Sequence, residues 1–327
     1  MSKRITIKDI AKMSGVGVGT VSRVLNGGSV KPETRKVVMN AIKKLGYTPN
    51  VSARRLAGGK TMSILVLTPE IRTEFHWRLL ESIDKTLDAL DYQTVIYPVI
   101  SQNRYNRLFN SNLFYEFDGV ILCTLTYKKM FKKTPDFPVL ILEDCEDKHD
   151  CVFLDNYYGG VLAAETLLER NIRNLYALYY DETSPLLSNE NIIKRLEGFK
   201  DRLKEEDISF ETDQLINADF FYGRPHERII QILKTVERPG IFATTDNFAM
   251  NVLETAATLG KVPGKDFFIV GYDNQTWTER LELTTIKQPI EEMGEMASKL
   301  IVERIKNPEL PVRHVKFQPS ILRRKSA

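Results

Sequence analysis

Three short apolar periods open the chain. Ile7, Ile10 and Ala11 fall on one helical face, Thr6 and Asp9 stand at the spacing of an N-terminal capping pair, and Ser14-Gly15 ends the run. Val18, Val21 and Leu25 follow at i, i+3 and i+7 as far as Asn26-Gly27-Gly28. A third run through Val37, Val38, Ala41 and Leu45 starts on Pro32 and stops at Gly46. Only a tight turn separates the first two runs. Helix, short glycine-containing turn, helix is the arrangement that lays its second helix in the DNA major groove. From Met62 the pattern changes. Short apolar runs (MSILVLTP, YQTVIYPVI, DGVILCTL, PVLILE, NLYALYY, GIFATT, DFFIVGY and VKFQPSIL) alternate with helical spacing such as Trp77 to Leu90, Gly159 to Arg170 and Asn191 to Glu206. The alternation predicts parallel sheets flanked by helices, with too many strands for one sheet. Two Rossmann-like lobes with a ligand in the cleft between them fit the count.

Between the two patterns lies YTPNVSARRLAGGK, Tyr47 to Lys60. Asn50 is a good N-cap and Gly58-Gly59 a stop, but about seven residues are too few for a helix that is stable alone in water. Such a segment orders against a partner, with Arg54 and Arg55 attracting phosphate and Leu56 offering an apolar wedge. Charge sharpens this division. Residues 1–60 carry 13 lysines and arginines against Asp9 and Glu33, a net +11, whereas the rest of the chain is net −8. A basic head on an acidic body suits a nucleic-acid module joined to a part that avoids the polyanion. The predicted divisions are an all-α helix-turn-helix domain over 1–49, a hinge helix and linker over 50–61, and an α/β two-lobed domain over 62–327.

TIKDIAKMSGVGVGTVSRVLNGG, VKPETRKVVMNAIKKLGYTPN and SARRLAGGKT resemble the lactose/galactose repressor family of bacterial transcription regulators. The resemblance implies that Val18, Gly19 and Arg23 read bases, and that Thr20, Ser22, Asn26, Tyr47 and Asn50 contact phosphate. It also places Ala53, Arg54 and Leu56 of the hinge in the minor groove. The chemistry agrees. Arg23 can pair bidentately with guanine for ~1–3 kcal/mol of discrimination, and hydroxyls on phosphate set register rather than sequence. Gly19 offers no side chain, so direct readout rests mainly on Arg23, with the hinge and DNA shape carrying more of the specificity.

The resemblance extends through PVLILE, FLDNYYGGVLAAETLL, KRLEGFKDRL, ATTDNFAM, IVGYDNQ and LTTIKQPIEEMGEMA to the effector domain of the same family, which shares a fold with periplasmic sugar-binding proteins. It implies lobe crossings near Tyr158, Lys287 and Gln318. Arg195 and Asp273 take the positions that hold sugar hydroxyls, a donor fork and an acceptor suited to vicinal diols. Phe220 matches a stacking aromatic, Phe75 lies in a first-lobe loop lining the cleft, Glu143 stands where Asp is usual, and Thr245 and Asn247 sit in a polar loop. TPEIRTEFHWR, Thr68 to Arg78, departs from the family pattern, and so does Lys31 before Pro32.

Other chemistries find less support. His76, His149, His226 and His314 are scattered, and no zinc-protease, nucleophile-elbow or Walker pattern occurs. EDCEDKHDC, Glu143 to Cys151, gathers acids, a histidine and two cysteines, but its spacing matches no standard zinc pattern and it reads as a solvated loop. The three cysteines, Cys123, Cys145 and Cys151, read as reduced thiols. No run approaches the roughly 18 apolar residues of a membrane span. The expectation is a cytoplasmic, homodimeric regulator without a cofactor or bound metal, which is not an enzyme. It binds palindromic double-stranded operator DNA and answers to a small molecule, a carbohydrate first. A purine, nucleoside or sugar phosphate in the same scaffold stands as the alternative. A solute-binding protein or doubly wound enzyme with a basic N-terminus stands further off.

Overall fold

The computed structural model describes residues 5–25, 28–47, 60–111, 113–180, 189–218 and 227–327. They fall into two units, one drawn from Met1–Met62 with Tyr115–Asp118, the other from Ser63–Phe114 and Gly119–Ala327. The first contains α1 (Ile7–Ser14), α2 (Val18–Leu25) and α3 (Pro32–Leu45). The Thr6 amide and hydroxyl donate to Asp9 Oδ2 at 2.8 and 2.7 Å, closing a capping box on α1. Gly15 ends that helix at φ 67°, a left-handed turn that costs glycine nothing. The core is Ile10, Ala11, Val21, Val24, Val38 and Ala41. Two expected core positions lie outside it, since Val18 is 42% and Val37 48% exposed. The buried face of α2 is centred between Val21 and Val24, which leaves Val18 at its edge. The Asp118 carboxylate accepts from the Thr61 and Met62 amides at 2.7 and 2.9 Å, which brings residues 115–118 to the end of this unit.

The second unit runs β1 (Ser63–Thr68), α4 (Glu74–Ala89), β2 (Gln93–Pro98), α5 (Gln102–Asn110), β3 (Gly119–Cys123), α6 (Tyr127–Met130), β4 (Val139–Leu142) and β5 (Asp150–Leu154) through its first lobe. The second lobe follows as α7 (Asn156–Leu168), β6 (Leu175–Tyr179), α8 (Glu190–Glu205), β7 (Leu215–Asn217), α9 (Glu227–Thr235), β8 (Gly240–Ala243), α10 (Asp246–Thr258), β9 (Phe268–Asp273) and β10 (Thr284–Lys287). The chain then returns through α11 (Ile290–Lys306) and β11 (His314–Phe317) before β12 (Ser320–Leu322). The two six-stranded sheets are ordered β11-β5-β4-β3-β1-β2 and β12-β10-β9-β8-β6-β7. Every described pairing is parallel except β10 with β12. Buried on both faces, β3, β4 and the Ile64–Leu67 centre of β1 read as unbroken apolar runs.

The chain therefore passes between the sheets three times, after β5, after β10 and between β11 and β12. VKFQPSIL, a single strand by its pattern, is split by Gln318-Pro319 into strands of different sheets. β5 begins inside EDCEDKHDC, because Asp150 is neutralised by Arg304 and Arg313 rather than solvated. In the second lobe α7 and α8 pack backbone to backbone. A Cβ on Gly160 would stand 1.9 Å from the Arg195 carbonyl oxygen, and one on Gly198 1.9 Å from that of Tyr157.

Candidate functional site

Two surfaces carry candidate chemistry. On α2 of the first unit, Val18, Gly19 and Arg23 are exposed, and Thr20 and Ser22 are half-buried. Open space surrounds the position a Gly19 Cβ would take, and Arg23 one turn on donates from Nε toward the Gly19 carbonyl at 3.4 Å. The guanidinium stem thus lies along a bare stretch of helix. Tyr47 is half-buried and packs on the helical core. Arg35 was not anticipated from the sequence. Its guanidinium donates to the Gly28 carbonyl at 2.8 Å and the Val24 carbonyl at 3.5 Å, satisfying the C-terminal end of α2. Asn26, Asn50, Ala53, Arg54 and Leu56 lie outside the described residues.

In the second unit a cavity of about 670 Å³ opens between the lobes, and Phe75, Glu143, Arg195, Thr245, Asn247 and Asp273 all line it. Phe220 lies outside the described residues. Two placements differ from expectation. Thr73 caps α4 by accepting from the His76 amide, so Phe75 sits in a first helical turn and not in a loop. Thr245 likewise caps α10, and Asn247 belongs to that helix rather than to a polar loop.

Arg195 is buried and fixed on three sides. Its Nε donates to Asn156 Oδ1 at 2.8 Å, one terminal nitrogen donates to the Thr244 carbonyl at 2.7 Å, and its guanidinium carbon lies 3.6 Å above the Tyr272 ring. The same nitrogen stands 3.8 Å from Asp273. The close approach of α7 and α8 makes this possible, since it brings Asn156 under the Arg195 stem. Asp273 ends β9 and accepts from Gln288 at 2.6 Å. Glu143 follows β4, and its Oε2 accepts from Asn191 of the other lobe at 2.9 Å. The buried Glu143 Oε1 and Gln288 Oε1 have no hydrogen-bond partner among the described residues, and both residues line the cavity. Such atoms cost free energy unless a ligand supplies the donors.

Backbone strain and proton affinity concentrate here. Thr124, Glu143 and Asp273, at the carboxyl ends of β3, β4 and β9, hold φ at 54°, 71° and 118°. Non-glycine residues are held there only where the surroundings over-determine them, and strand ends of this kind are where open α/β sheets bind ligands. Burial pushes the Glu143 carboxyl up to about 7, against the pull of Arg195 and with a push from Asp273. Burial also raises Asp273, and raises Asp246, whose rise the nearby Asp273 charge increases.

Residues 6–50 match the family described as bacterial regulatory proteins, lacI family, and residues 164–327 match the periplasmic binding protein-like domain. The HTH-type transcriptional regulator DegA of Bacillus subtilis (strain 168) is 30% identical over 309 residues, 89% of this chain and 88% of the relative. The chain belongs to the LacI family. Catabolite control protein A of Priestia megaterium is 29% identical over 91% of this chain and 92% of its own length. A LacI-family transcriptional regulator from Enterococcus faecium, solved with bound ribose, is 29% identical at a TM-score of 0.66, covering 81% of this chain and 98% of that one. The protein is a LacI-family DNA-binding transcriptional regulator. Its helix-turn-helix unit and two-sheet α/β unit are the family's fold.

This regulator's cleft also contains residues that motif reasoning passed over. Asn191, Gln288 and His76 line it. Burial lowers His76 to about 4, so it is neutral near pH 7. Its ring nitrogens meet the Thr73 hydroxyl at 2.6 Å and the Thr124 hydroxyl at 3.0 Å, tying the start of α4 to the end of β3. A lone histidine between Phe75 and Trp77 carried no signal for this role. The lobes are joined at the rim, where Glu74 accepts from the Thr276 amide and hydroxyl at 2.8 and 2.9 Å and Arg78 donates to the Asn274 carbonyl at 3.2 Å.

Proposed function

We propose that this LacI-family regulator is a repressor of carbohydrate-utilisation genes, whose interlobe cleft binds a neutral sugar. The observation that supports the sugar is the balance of the cavity wall. Arg72, Arg104 and Arg195 face Glu70, Glu143 and Asp273, with Asn191, Asn247 and Gln288 among them. An array of donors and acceptors without a charge excess suits hydroxyl groups better than a phosphate. Phe75, Ile71, Val99 and Ile100 offer apolar surface to the C–H face of a ring. The ribose bound to the Enterococcus faecium relative points the same way.

In this reading Arg195 and Asp273 hold adjacent hydroxyls, and Glu143 and Gln288 take the donors they lack. Thr245 and Asn247 complete the wall from α10, and Phe75, with Phe220, supplies the stacking surface. Sugar binding shifts the balance between lobe arrangements and through it the affinity for DNA. Two copies of the chain present two recognition helices to a pseudo-palindromic operator. Val18, Gly19 and Arg23 meet the base edges there, and Thr20, Ser22, Asn26, Tyr47 and Asn50 meet phosphate. Ala53, Arg54 and Leu56 enter the minor groove between the half-sites. The protein acts by binding rather than by catalysis, in the cytoplasm where the chromosome lies.

A thermal-shift screen of neutral sugars, sugar phosphates, nucleosides and nucleobases on the full chain tests this. A ligand at 100 times its dissociation constant stabilises by about 2.7 kcal/mol. A neutral sugar is expected to give the shift, and Arg195→Ala to abolish it. A purine hit, or an undiminished sugar shift in Arg195→Ala, would overturn the assignment.

A further inference from the structure

The segment EDCEDKHDC folds into something its spacing does not announce. Cys145 lies in the turn between β4 and β5, Cys151 is the second residue of β5, and β11 returns beside β5 with His314 in register with Cys151. Register partners in a parallel pair project to the same face of the sheet. One ligand atom each from Cys145, Cys151 and His314 therefore comes together, all within 4.8 Å of one another.

The surroundings hold this cluster in place. Immediately before Cys151, the buried Asp150 binds Arg304 Nη2 at 2.9 Å and Arg313 Nη2 at 3.1 Å, and accepts from the Arg313 amide at 2.9 Å. That clamp fixes β11 against β5 one residue ahead of His314. The Glu146 amide donates to Cys151 Sγ at 3.2 Å, folding the turn back over the thiol. Cys151 is buried, Cys145 half-buried and His314 exposed, so the cluster opens to solvent on one side. Asp144 and Asp147, on either side of Cys145 in the same turn, add negative charge beside that thiol.

We propose that Cys145, Cys151 and His314 are a binding site for zinc. Two thiolates and an imidazole are the ligands of a borderline-soft d¹⁰ ion, and three protein ligands leave a fourth tetrahedral position for water. Each thiol gives its proton to solvent as the zinc–sulfur bond forms, with no change of oxidation state. The bound ion would fasten the turn that follows Glu143 to β11, the strand leading into the last lobe crossing. The site stands on its own geometry, whatever molecule fills the interlobe cleft.

The full chain, reduced and stripped of metal, is titrated with zinc against a chromophoric chelator, and separately with cobalt(II). One equivalent of zinc is expected, with a thiolate-to-cobalt charge-transfer band and tetrahedral cobalt absorption. His314→Ala changes an exposed residue and leaves the core intact. It is expected to weaken zinc binding more than about tenfold, since even outer-shell partners are worth that much. Cys145→Ser is expected to remove part of the thiolate band. No bound equivalent, a cobalt spectrum without thiolate intensity, or unchanged affinity in His314→Ala would each overturn the site.

Discussion

One carboxylate oxygen of Glu143 is satisfied by Asn191, and the other is buried without a partner among the described residues. Burial therefore sets its behaviour, and the sign of its pH dependence follows. A folded pKa near 7 against an ordinary 4.5 means that ionisation is harder in the folded chain. The contribution to stability is full below about 4.5 and is lost as pH rises through about 7. Glu143→Gln cannot ionise. Its stability relative to the parent is expected to grow from pH 4.5 to 7 and then level off, by on the order of 2 kcal/mol, in urea unfolding at a series of pH values. His76 works in the opposite sense, losing stability as pH falls from 6.5 toward 4, but it is common to both proteins and cancels in the difference. A flat difference would mean that Glu143 is ionised throughout. How little of this was legible is physical in origin. Family resemblance points to Arg195, Asp273 and Glu143, yet their partners Asn156, Thr244 and Asn191 stand 39 to 49 residues away from the groups they hold. No local spacing encodes such pairs. The zinc cluster escaped for the same reason, since its third ligand comes from the far end of the chain.

Elements were more legible where their signals are local. The capping pair Thr6 and Asp9, Pro32 at a helix start and the left-handed glycines at 15 and 46 act within one turn, and the helices begin and end there. Strands β5 and β10 were missed because their patterns are not apolar alternations. Asp150 and the threonines Thr284 and Thr285 are buried through partners elsewhere in the fold. Glycines of the two units divide by the same test. Nothing lies within 4 Å of a Cβ placed on Gly19, so Gly19→Ala is expected to stabilise α2 by up to ~1 kcal/mol, read as slower hydrogen exchange of its amides. Gly198 has the Tyr157 carbonyl in that space. Gly198→Ala must push α7 and α8 apart, and is expected to cost about 1–3 kcal/mol in the second unit. It also moves Arg195 away from Asn156, so effector affinity should fall with stability. A Gly198→Ala protein with full stability and affinity would show that the helix contact yields without consequence.

At the scale of the whole second unit, the groups that bridge the lobes decide how much of the closing work is done before a ligand arrives. Glu74 and Arg78 project from the first two turns of α4 to the chain just after β9, and Asn191 reaches from α8 to Glu143. The Glu74 side chain is only 12% exposed and accepts twice from Thr276, but Thr276 is exposed, so water screens these bonds in part. Hydrogen bonds to a charged group are worth about 1.5–3 kcal/mol each when shielded. Removing this latch raises the population of open arrangements, and a ligand that needs the closed one then binds with an affinity reduced by the fraction closed. Glu74→Ala is expected to weaken effector binding about tenfold, ~1.4 kcal/mol, although Glu74 does not line the main cavity. The two states also predict a change of shape. Without the latch the free protein is more expanded, so the decrease in radius of gyration on ligand binding, measured by small-angle scattering, grows in the variant. Weakened binding with the same compaction as the parent would place Glu74 among direct ligand contacts instead. An affinity equal to the parent's would mean that the interlobe contacts near Asn274 and Asn191 hold the closed arrangement without it.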